Sequence, residues 1–173
     1  MHGSGPNDRD KSVGPNKPFR DLAWGLASRG IAVLRYEKRT KVYSNQFIGR
    51  FTVSEETTDD ALAAVSSLRQ IEQIDAQKIY ILGHSLGRML IPKIGEADAN
   101  IAGFIVMAGL TRFLEDTVLD QVNYIAALDS VVSPEKQAQI DTLTPQVSRV
   151  KDPQLSSEVP ATELLFGIPA SYW

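Results

Sequence analysis

Ser85 stands between two glycines in Gly83-His84-Ser85-Leu86-Gly87, and a serine held at that spacing is a candidate nucleophile. The apolar run Ile79-Tyr80-Ile81-Leu82 precedes it and Met89-Leu90-Ile91 follows, so the pattern predicts a strand that turns sharply into a helix. Small residues on both sides leave room for a strained turn; the hydroxyl then stands exposed, and the Leu86 N–H can face an oxyanion. The other reading of these five residues is a glycine-bounded strand end with a helix-capping serine. It leaves the spacing of the two glycines unexplained. The chain has no cysteine, which excludes a thiol nucleophile, a disulfide and a thiolate metal site.

The elements that must position Ser85 follow from periodicity. The opening His2-Gly3-Ser4-Gly5-Pro6, and on to Pro18, is glycine, proline and charge, which is loop chemistry. Phe19, Leu22, Ala23, Leu26 and Ala27 then fall at helical spacing, with Pro18 suited to a first helical position and Gly30 to a C-terminal cap. Ile31 to Leu34 reads as a buried strand ending in the charged run Arg35-Tyr36-Glu37-Lys38-Arg39, and residues 40–54 read as a long loop. Thr57 with Asp60 resembles a capping box for a helix carrying Ala61, Ala64, Val65 and Leu68 inward and ending near Gln70. Lys78 to Leu82 is the next strand, and Pro92 is placed to kink or end the helix behind Ser85. Ile101 to Ala108 reads as a third buried strand closed by Gly109.

Strands alternating with helices indicate an α/β fold with a short, mainly parallel sheet flanked by helices. Beyond it no strand follows. Leu114, Val118, Val122 and Ile125 mark one helix, Ser133-Pro134-Glu135 caps another with Ile140, Leu143 and Val147 inward, and Pro160 to Phe166 suggests a third. The expected organisation is an α/β core over residues 1–112 and a helical lid or cap over 113–173, parts of one domain.

The 173 residues suffice for one domain with a real core, and a net charge of −3 offers no basic excess for nucleic acid or an anionic membrane. No segment reaches the roughly eighteen apolar residues of a membrane span, and the N-terminus lacks the regions of a signal peptide. A cytoplasmic location is the default expectation, and no metal or other cofactor is expected.

The stretch around Ser85 and the His2-Gly3-Ser4-Gly5-Pro6 loop together resemble the α/β-hydrolase superfamily, in particular its bacterial serine esterases and related acyl hydrolases. The resemblance covers essentially the whole chain, which would then be a partial α/β-hydrolase fold. It implies Ser85 as nucleophile and Leu86 with Ser4 or Gly3 as oxyanion-hole N–H donors. It also implies a small ester or acyl substrate, bound in an apolar site under the helices after Gly109.

Departures from the family pattern are equally specific. Arg88 stands where family members often carry another glycine, a cation at a helix N-terminus that is mildly unfavourable unless a carboxylate pairs with it. The family takes its acid and histidine from after the later strands, and the only histidines here are His2 and His84. His2 is a candidate for an improvised base if its loop rearranges; His84, just before the nucleophile, should point away from it. Asp116 and Glu115 follow the third strand, where some members place their acid, though a helix N-terminus attracts negative charge for its own reasons. In family order the strand that should precede His2 lies between the strands at Ile31 and Ile79. Its absence predicts either direct pairing of those two or a homo-oligomer in which a second chain fills the place. Two functions follow: a serine esterase of reduced activity, or a silent hydrolase remnant serving as a binding or assembly module.

Overall fold

The computed structural model describes residues 1–109, 111–128 and 131–173, and its architecture is mixed α/β, with a two-stranded parallel sheet and seven α-helices among those residues. They fall into two compact units: Met1–Ile48 with Val53–Gly109, and Gly49–Thr52 with Leu110–Trp173.

In the first unit, Pro18 opens helix α1 (Pro18–Ala27), where a missing N–H costs nothing. Phe19 and Ala23 are buried, whereas Leu22 and Ala27 remain exposed, so the inward stripe is narrower than its sequence pattern. The helix ends in a Schellman motif: Ile31 N–H bonds the Leu26 carbonyl at 3.2 Å and Gly30 N–H bonds Ala27 at 3.0 Å, with Gly30 at φ 78°. The predicted strand at Ile31 to Leu34 does not form. The segment lies outside both strands, and Ile31, Val33 and Leu34 are exposed by 51%, 39% and 38%. A β-branched run becomes a strand only where a neighbour completes its ladder.

The sheet shows where that neighbour is lacking. Strand β1 (Tyr80–His84) pairs in parallel with β2 (Gly103–Met107), Tyr80 opposite Gly103 and His84 opposite Met107. On the other edge of β1 the N-terminal residue takes part of a strand's place. The Met1 amino group donates to the Leu82 carbonyl at 2.6 Å, and His84 N–H donates to the Met1 carbonyl at 3.1 Å. This is the parallel-ladder pattern opposite Gly83. Direct pairing of the Ile31 segment with β1 is therefore not what occurs. Strand β1 begins at Tyr80 rather than Lys78 because a 3₁₀ turn at Ala76–Lys78, capped by the Asp75 side chain, uses up the residues before it, while β2 lies within the expected Ile101 to Ala108 and is shorter. In β2, expected to be buried, Ile105 and Val106 are 49% and 55% exposed because no strand lies beyond it among the described residues.

The 40–54 stretch holds a short helix α2 (Arg39–Val42) and a 3₁₀ turn at Ser44–Gln46. Thr57 does not cap the next helix. It lies within a π-helical turn at Ser54–Thr58, its hydroxyl buried without a partner, and helix α3 (Asp59–Arg69) runs on from that turn. Ala61 and Val65 of α3 join Ile79, Ile81, Ile94 and Ile101 in the core of this unit. Behind Ser85 the chain forms α4 (Leu86–Met89) and α5 (Ile91–Ala97), with Pro92 in the first turn of α5, so the proline does divide the helix.

The second unit packs α6 (Leu114–Ala127) with α7 (Pro134–Val150). Leu143, Val147 and Val150 bury with Leu164 and Leu165. The third helix suggested at Pro160 to Phe166 is instead two 3₁₀ turns, Ala161–Glu163 and Leu165–Gly167.

Candidate functional site

Ser85 sits between β1 and α4 at φ 53° and ψ −121°. A side-chain-bearing residue is rarely found there, and such a conformation costs on the order of 1–3 kcal/mol, so the surroundings must enforce it. They do so through the backbone: Ser85 N–H bonds the Met107 carbonyl at 3.2 Å, and Arg88 N–H bonds the Ser85 carbonyl at 3.0 Å. The small residues are required by close approach. A Cβ on Gly83 would lie 2.9 Å from Arg88 Cα, and one on Gly87 would lie 2.5 Å from the His2 carbonyl oxygen.

The second contact brings the opening loop to Ser85. The Met1–Gly3 backbone crosses the start of α4, and a Cβ on Gly3 would lie 3.0 Å from Ser85 Cβ and 3.3 Å from its Oγ. Gly3 and Ser85, from distant parts of the sequence, thus meet at one hydroxyl. The N–H groups of Gly3, Ser4 and Leu86 have no acceptor among the described residues, the last because it opens a helix.

A buried ion pair holds the loop from behind. Lys38 Nζ, on a side chain only 1% exposed, donates to the Gly3 carbonyl at 2.8 Å, the Gly5 carbonyl at 3.1 Å and Glu56 Oε1 at 2.6 Å. The same Glu56 oxygen accepts the Gly5 N–H at 2.9 Å. Asn7 Nδ2 reaches the carbonyls of Gly3, Ser4 and Gly5 at 3.2, 2.9 and 3.0 Å. Burial pushes the Lys38 ammonium below the usual lysine range, against the opposing pull of Glu56. None of Lys38, Glu56 and Asn7 stands out in the sequence. Lys38 reads as one of a solvated charged run and Glu56 as one of two acids before a helix, and two charges 18 residues apart leave no periodic signal.

The histidines are placed differently from a free base. His2 is buried, its Nε2 bonded to the Tyr36 carbonyl at 2.9 Å and its ring against Phe19 and Tyr36. Burial lowers its pKa to about 4. No hydrogen bond joins it to Ser85 among the described residues, so it is not in position as the improvised base. His84 is half-buried, its Nδ1 without a partner and its pKa lowered by burial first and then by Lys11 and the N-terminus. Glu115 and Asp116 occupy the first turn of α6 in the second unit, where Lys151 Nζ holds Asp116 at 2.6 Å. Asp116 is thereby committed to an ion pair. Arg88 is half-buried beside Gly109, and no carboxylate pairs with it among the described residues.

The chain is 40% identical over all 173 residues to Esterase EstD of Thermotoga maritima. It spans only 39% of the length of that protein. No family model and no solved structure matches. No helix among the described residues is long and apolar enough to cross a membrane.

Proposed function

We propose that the chain carries the nucleophile half of a serine esterase of the α/β-hydrolase kind. In this reading Ser85 Oγ attacks the carbonyl carbon of a small carboxylic ester, the alcohol leaves, and water hydrolyses the acyl-serine. The N–H groups of Leu86 and of Ser4 or Gly3 receive the oxyanion of each tetrahedral intermediate. The observation that carries this reading is the strained turn at Ser85 with Gly3 of a distant loop pressed against it. The identity to a protein named as an esterase supports the substrate class. Among the described residues no hydrogen bond joins a base to Ser85, and two of the candidates are engaged elsewhere, His2 with Tyr36 and Asp116 with Lys151. The oxyanion donors and substrate binding alone sustain a rate advantage on the order of 10³–10⁴ over water, so weak turnover is expected.

The same two commitments favour a second reading, in which the chain is catalytically silent and acts as a binding or assembly module. Turnover of short p-nitrophenyl esters by this chain against Ser85→Ala, with fluorophosphonate labelling, separates the two. The esterase reading expects a loss of turnover and of label in the variant. Equal rates and no label on Ser85 would leave the silent module.

A further inference from the structure

Lys38 and Glu56 are costly residues to bury. Each ion loses several kcal/mol of hydration, and a well-packed apolar pair would hold a core at least as firmly. Besides bonding each other, both reach the backbone of the Gly3–Gly5 loop. A trans peptide points its carbonyl and its N–H in opposite directions. In the Gly3–Ser4 peptide the carbonyl faces the Lys38 ammonium, so the Ser4 N–H faces away from it, and no acceptor among the described residues takes that N–H. The next peptide is pinned at both ends, its Ser4 carbonyl by Asn7 and its Gly5 N–H by Glu56. A cation on the carbonyl of a peptide also draws electron density from it, which makes its N–H a stronger donor.

We propose that the buried Lys38–Glu56 pair is a positioning device for the opening loop: the Lys38 ammonium orients and polarises the Gly3–Ser4 peptide so that the Ser4 N–H is the donor to the oxyanion formed at Ser85. The inference rests on the reading of Ser85 as nucleophile. Because the oxyanion exists only in the tetrahedral intermediate and its flanking transition states, loss of the device lowers kcat and leaves KM nearly unchanged.

The test compares Lys38→Met, Lys38→Arg and the uncharged pair Lys38→Met/Glu56→Leu with the parent chain in p-nitrophenyl butyrate turnover. The double variant serves where a lone buried Glu56 prevents folding, and circular dichroism establishes which variants are folded. The expected result is a fall in kcat of about tenfold or more with KM within about twofold, part of it restored by arginine, which keeps the charge in a different geometry. The amide resonances of Ser4 and Gly5 should move in the same variants, a readout that does not depend on turnover. Turnover indifferent to Ser85→Ala overturns the reading beneath the inference. Turnover that needs Ser85 but keeps its full kcat in a folded variant without Lys38, or Ser4 and Gly5 amides that do not move, overturns the inference alone.

Discussion

His2 illustrates how a residue of catalytic type can be claimed by packing. Its imidazole is shut between Phe19 and Tyr36 with one nitrogen on a backbone carbonyl, and the cost of a buried cation keeps it neutral. The sign of the resulting pH dependence follows from linkage. The folded pKa of about 4 lies below the unfolded value of 6.5, so the unfolded chain takes up a proton that the folded one refuses. Stability contributed by neutral His2 is complete above about pH 6.5 and is lost as the pH falls toward 4, by roughly 3 kcal/mol in all. With only two histidines in the chain, their ring resonances can be followed by NMR. His2 should titrate near 4, and His2→Gln should flatten the fall in urea midpoint between pH 7 and 4. A His2 that titrates at 6.5 contradicts the buried placement.

Among elements, the best-defined boundary is the start of α7. Ser133 Oγ accepts the Lys136 N–H at 3.3 Å, Pro134 stands at the first helical position, and Glu135 follows in the first turn. Ser133→Ala should cost the second unit about 1 kcal/mol. Trp173 packs on that unit's core, so urea unfolding followed by its fluorescence in a Trp24→Phe background reads the effect. An unchanged midpoint would show that the cap contributes nothing. The Ile31 segment is the opposite case. Its local sequence is as strand-like as that of β1, yet it carries no ladder, because a strand is stabilised by a neighbour and a helix cap by residues three positions away. For the same reason α1, α6 and α7 were readable from periodicity, while the 3₁₀ and π turns around residues 44–58 were not.

At the scale of the whole molecule, the side chains of Ile31, Val33, Leu34, Ile105 and Val106 are exposed, and among the described residues no strand pairs with the outer edge of β2. Such an edge invites pairing with a second chain. We expect the chain to self-associate at micromolar concentration in sedimentation experiments, and Val106→Lys to shift it toward monomer; a cooperatively unfolding monomeric parent would rule this out. By itself the sequence determined the mixed α/β class, the amphipathic helices and the turn at Ser85, all written in spacings of a few residues. Only the tertiary structure decided that Met1 takes the place beside β1, that His2 is locked to Tyr36 and Asp116 to Lys151, and that Lys38 and Glu56 grip the loop against Ser85. Those contacts join residues far apart in the chain, and burial, which sets their strength and their protonation, belongs to the folded molecule rather than to any local pattern.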